Sequence, residues 1–138
     1  MKGPWNGFSQ IWLPVLLWML FIYILSSVSG KDIPDFPVPY FHKMVHFFEY
    51  SILGGLWIRA FLLRRPGAPC LKFSILAWTL TTIFAFSDEW HQTFVPGRSG
   101  KLEDVFFDMI WAVLGILLYL HGQHKPGQKH SPKKDALA

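Results

Sequence analysis

Four apolar runs constrain this chain more than anything else in it: Ile11 to Val28, Val45 to Leu63, Leu71 to Thr93 and Leu102 to Leu120. As helices, at about 1.5 Å per residue, each would reach roughly 27–34 Å, against a bilayer hydrocarbon thickness of about 30 Å. Backbone in hydrocarbon must satisfy its own hydrogen bonds, so the runs predict helices. Pro14 falls in the first turns of its run, where a missing N–H is tolerated. The fold expected is therefore all-α, a four-transmembrane-helix bundle with helices at about 11–28, 45–63, 71–93 and 102–120 inside a domain of residues 1–121. Composition agrees, with 51% hydrophobic and 16% charged residues, where soluble domains carry about 25% charged.

The first run also has a signal-peptide pattern: Lys2, an apolar stretch, then "SSVSG" with small residues at Ser27 and Ser29. Its length and its tryptophans, Trp5, Trp12 and Trp18, favour a retained helix. Between runs, "SGKDIPDFPVPYFHK" carries Pro34, Pro37 and Pro39 and is expected to be extended. "RRPGAPCLK" and "VPGRSGK" are short turns, and residues 122–138 form a polar basic tail expected to be disordered.

With four spans, Lys2, Arg59, Arg64, Arg65, Lys72 and the tail lysines Lys125, Lys129, Lys133 and Lys134 share one side, nine basic residues in all. Lys31, Lys43, Arg98 and Lys101 make four on the other. The positive-inside rule then puts both termini in the cytoplasm. The net charge of +4 owes much to the tail, so no nucleic-acid surface is expected. Cys70 is the single cysteine, which excludes an internal disulfide, and no general base stands near it in sequence.

The charged residues cluster at the outward ends of the runs. Lys43, His46, Glu49 and Tyr50 begin the second, Asp88, Glu89, His91 and Gln92 end the third, Arg98 lies in the turn, and Asp104 and Asp108 begin the fourth. His46, Glu49 and Tyr50 stand at i, i+3 and i+4, and Asp104 and Asp108 at i, i+4, with Trp111 and Gly115 continuing that stripe. Gly54, Gly55 and Gly115 offer surfaces where helices can approach closely. Ionisable groups at membrane depth are tolerated where they face a shared, partly wet interior, and there they are functional candidates.

One explanation is purely structural, with Arg98 bidentate to Asp104 or Glu89 and Lys43 on a carboxylate. It leaves a surplus. Glu49, Asp88, Glu89, Glu103, Asp104 and Asp108 are six acids against Lys43, Arg98 and Lys101. Some carboxyl must then be protonated, solvated or paired with a bound cation, and Glu103, off the inward face, is expected to be solvated. His46 and Glu49 form an H-x-x-E pair to which Glu89, Asp104 and Asp108 can add oxygens, but no established metal spacing is present. No metal is assigned on sequence and no cofactor is expected. Ser87 and His91 at i, i+4 lack the strand-turn-helix setting of a nucleophile elbow. His42 and the tail histidines read as surface residues.

Two segments resemble a known family. "HKMVHFFEYSILGGL" is similar to D-K-x-x-H-F-x-x-Y-x-x-L-G, and "SDEWHQTFVPGRSGKLEDVFFDMIWAVLG" to D-E-x-x-Q-x-F-x-x-x-R-x(5)-D-x-x-x-[DN], both from the VanZ-like membrane proteins. "YILSSVSGKDIPDFP" resembles the end of their first helix. Departures are His42 for a common Asp, Trp111 for a common Gly, and Asp108 where some relatives have Asn. The shared positions are Lys43, His46, Tyr50, Asp88, Glu89, Gln92, Phe94, Arg98, Asp104 and Asp108. The resemblance implies a multi-pass protein of the bacterial cytoplasmic membrane and a link to teicoplanin-type glycopeptide resistance, an antibiotic-resistance role. It carries no catalytic assignment.

Three functions follow as expectations. The first is a binding module whose outward cleft, roofed by "VPGRSG", takes a lipid-linked envelope precursor, a lipoglycopeptide or another amphiphile. Its ligand residues would be Lys43, His46, Glu49, Tyr50, Asp88, Glu89, Gln92, Arg98, Asp104 and Asp108. The second is an enzyme, a hydrolase or transferase on an envelope lipid, with Glu89 or His46 as general base and Arg98 stabilising an anion. The third is a helical partner of a larger membrane complex. Membrane lipids are partners in each, nucleic acid in none, and the sequence does not set an oligomeric state.

Overall fold

A computed structural model describes residues 7–32 and 41–123. The proline-rich connector and the basic tail beyond Gln123 lie outside the described residues, as do Lys2 and Trp5. Four helices follow in order: α1 Gly7–Ser26, α2 Phe41–Arg64, α3 Cys70–Gln92 and α4 Leu102–Gln123. No strand occurs among the described residues.

Three of the four, α1, α3 and α4, are long and apolar enough to cross a membrane. α2 is less clearly apolar because it carries Lys43, His46, Glu49 and Arg59. It also starts four residues before the apolar run that announces it, taking in Phe41 to Met44. α2 and α3 each pack against all three other helices, whereas α1 and α4 do not meet. The helices run alternately up and down, so the described ends at Gly7 and Gln123 lie at one end of the bundle.

The outside of this bundle is apolar. Leu16, Leu20 and Ile24 on α1, Ile75, Ile83 and Phe86 on α3, and Phe106, Ile110 and Leu117 on α4 are exposed. In water such a surface would be a liability; against lipid tails it is matched. Inside, Val15, Ile22, Tyr50, Leu53, Ala60, Ala85 and Val105 pack together, and Ile58, Ala77 and Ile116 form a second group toward the other end.

Close helix approach depends on two glycines. A Cβ on Gly115 would run into the main chain of Ser51, and one on Gly54 would come within 2.6 Å of the Ala112 carbonyl oxygen. α2 and α4 are therefore in backbone contact, as small residues permit in membrane bundles. At the far end Arg59 Nη1 donates to the Gln10 carbonyl at 3.3 Å, reaching toward its nearby surface.

Candidate functional site

The end of the bundle formed by the α1 and α3 C-termini and the α2 and α4 N-termini collects the acids. Glu49, Asp88, Glu89, Asp104 and Asp108 are all buried, Asp108 with 0% of its surface exposed. Each comes from the inward stripe of its helix, so helical periodicity alone converges them.

His46 sits between two of them. Its Nδ1 lies 3.2 Å from each oxygen of Asp108. Where Asp108 is ionised it only accepts, and Nδ1 is then the donor in this contact. Nε2 then turns toward Glu89 Oε1, 3.9 Å away. The ring is stacked on Tyr50, 5.8 Å between centroids. Tyr50 donates its hydroxyl to Asp88 Oδ2 at 3.1 Å. Gln92 Nε2 donates to the same oxygen at 3.1 Å and to Glu89 Oε1 at 3.3 Å. Asp88 Oδ1 is buried with no hydrogen-bond partner.

The turn between α3 and α4 closes over Glu89. The Lys101 backbone N–H donates to Glu89 Oε2 at 2.8 Å. This needs the turn to lie on the end of α3, and Gly100 permits it, since a Cβ there would collide with the Glu89 carbonyl. Asp104 occupies the first turn of α4, where the helix dipole favours a carboxylate.

Arg98 does not take the acidic partner that charge balance suggests. Nε donates to the Val28 carbonyl and Nη2 to the Leu25 carbonyl, both at 2.9 Å, and Nη1 reaches Gln92 Oε1 at 3.5 Å. It thus adds a donor to the Leu25 carbonyl, which also accepts from the Val28 N–H at 3.2 Å, and supplies one to the Val28 carbonyl just past the helix end. Lys43 pairs with Glu103 at 2.7 Å on the exposed rim and lies 4.5 Å from the Phe107 ring centroid. Ser87 and His91 do not face each other. Ser87 bonds the Phe84 carbonyl, and His91 Nε2 lies 3.0 Å from Ser27 Oγ. Phe94 is exposed, as are His42 and Cys70.

Two openings reach this end. A cleft of about 100 Å³ is lined by Ser26, Phe41, His42, His46, Glu49 and Arg98. A groove of about 390 Å³ runs between α3 and α4, with Phe86, Trp90 and Leu102 along it and Glu89 and Lys101 at its polar edge.

A family model described as VanZ/LLP1 matches residues 6–122, which include every residue of this cluster. The chain belongs to the VanZ/LLP1 family. No curated protein and no solved structure matches it. As a VanZ/LLP1 protein with three membrane-length apolar helices, it is a membrane protein.

Sequence reasoning missed what α1 gives this VanZ/LLP1 site, which is main chain and one indole. Leu25 and Val28 contribute carbonyls, and Trp18 Nε1 donates to the Glu49 carbonyl at 2.9 Å. The available signal was an arginine in a turn at the same end of the bundle as the α1 C-terminus.

Proposed function

We propose that this protein resides in the bacterial cytoplasmic membrane with both termini inside, and binds a lipid-linked or amphiphilic envelope ligand at the outward end of the bundle. The observation that carries this is the α3–α4 groove. Exposed Phe86, Trp90 and Leu102 suit an acyl chain arriving sideways from the bilayer, and the groove's inner edge is Glu89 and the Lys101 backbone. Apolar walls ending in charged and hydrogen-bonding groups complement a molecule with a tail and a polar head. Glu89 at the groove, and Glu49 in the neighbouring cleft, would meet amines or sugar hydroxyls. Arg98 uses three of its five N–H donors on the protein, which leaves two for a phosphate or carboxylate. A lipoglycopeptide of the teicoplanin type has this amphiphilic character, and resistance to it is the finer form of the proposal.

A photocrosslinker in place of Trp90 tests the binding function. In native membranes it is expected to capture a lipid-linked envelope species in excess over bulk phospholipid. Capture of phospholipid in bulk proportion alone refutes the proposal.

The His46–Asp108 contact favours a second function, a membrane-embedded hydrolase or transferase in which Asp108 orients His46 as general base. Purified protein incubated with envelope lipids should then release a product detectable by mass spectrometry, and His46→Gln should abolish it while sparing capture at position 90.

A further inference from the structure

We infer that His46 and Glu89 hold a divalent transition-metal ion, with Asp108 orienting the imidazole. With Nδ1 against Asp108, the other ring nitrogen of His46, Nε2, faces a Glu89 carboxylate oxygen 3.9 Å away and is the one placed to ligate an ion when the ring is neutral. At that distance the two atoms do not hydrogen-bond directly. Two ligands each about 2.1 Å from a shared ion can stand up to about 4.2 Å apart, so the gap suits a cation. A carboxylate on the far ring nitrogen is the arrangement that fixes the tautomer of metal-bound histidines. Ligand atoms of His46, Glu89 and Asp108, from three different helices, all lie within 4.8 Å of one another.

Glu49 places a further acid beside this site. It is 5% exposed and lines the small cleft beside His46. No hydrogen bond reaches its carboxylate among the described residues. A carboxylate this largely buried is costly unless a cation, a proton or cleft water offsets it. Arg98, the guanidinium lining the same cleft, already serves the Leu25 and Val28 carbonyls and Gln92. An imidazole with carboxylates selects ions such as Zn²⁺ or Mn²⁺ over Ca²⁺ and Mg²⁺, which prefer all-oxygen shells. An ion on Nε2 also occupies the lone pair that a general base would use. The inference does not rest on the amphiphile proposal, because the ion is measured without any lipid ligand.

The test uses tag-free full-length protein in detergent, stripped with chelator and reloaded with Mn²⁺ or Zn²⁺ alone. About one equivalent should survive desalting, and pulsed EPR of the Mn²⁺ form should show directly bound nitrogen. His46→Gln should lose both signals, Glu89→Gln should lose the retained ion, and Asp108→Asn should weaken binding roughly 10- to 100-fold. Glu103→Gln, on the exposed rim, and the double variant His124→Gln, His130→Gln in the tail should keep the nitrogen coupling. Wild-type protein that retains no ion, or retains it without nitrogen coupling, overturns the inference and leaves a proton shared by His46 and its acids. Coupling lost in the tail double variant overturns it as well. That outcome is decisive even if His46→Gln fails to fold.

Discussion

Arg98 donates to the carbonyl oxygen of Leu25 at 2.9 Å, joining the α3–α4 turn to the end of α1 across 73 residues of sequence. The same guanidinium takes the Val28 carbonyl, so one side chain bridges two main-chain acceptors. Lysine cannot fork in this way. Arg98→Lys is expected to lower stability by about 1–2 kcal/mol, toward the low side for charged hydrogen bonds because one of the two faces solvent. Denaturant titration in micelles would measure it, and an unchanged midpoint would contradict the capping role.

Tyr50 is fully buried and its hydroxyl holds Asp88. Tyr50→Phe keeps the ring stacked near His46 but leaves Asp88 with Gln92 as its one remaining donor. A loss of about 1–2 kcal/mol is expected, as for a buried acceptor deprived of a partner. The same titration checks it, with helicity by circular dichroism as the control for fold.

Gly115 and Gly122 lie on one helix and should respond in opposite ways. Gly115→Ala forces α4 off Ser51, and overpacking of that kind costs about 1–3 kcal/mol. Gly122→Ala meets nothing within 4 Å and should be neutral or slightly stabilising. Equal thermal midpoints for the two variants would mean that α2 and α4 are not in backbone contact.

Cys70 is the lone cysteine, is exposed, and begins α3 at the end away from the acids. If the acidic end faces outward, a membrane-impermeant maleimide should label Cys70 only after cells are permeabilised. Labelling in intact cells would invert the protein and hand the acidic cluster cytoplasmic ligands instead.

Much of this was legible in the sequence because it rests on period and length. The four runs gave the helices, and spacing gave the inward stripes of His46, Glu49 and Tyr50 and of Asp104 and Asp108. Gly54 and Gly115 announced the α2–α4 contact for the same reason, since a missing side chain is itself a signal. What stayed hidden involves the main chain. Every residue has a carbonyl, so nothing in the letters marks Leu25 and Val28 as the acceptors for Arg98, nor the Lys101 N–H as the donor to Glu89. The α2 start at Phe41 was also missed, because hydropathy registers where apolar residues begin and not where helical hydrogen bonds do.

The bond between Arg98 and α1 has a consequence for how this protein can change. α1 carries no charged side chain and reaches the turn through carbonyl oxygens that are the same whatever residue bears them. Its lipid-facing surface can therefore be rewritten in other apolar residues without altering what Arg98 grips. α1 is free to drift with the bilayer it must match, while the single arginine opposite it is not.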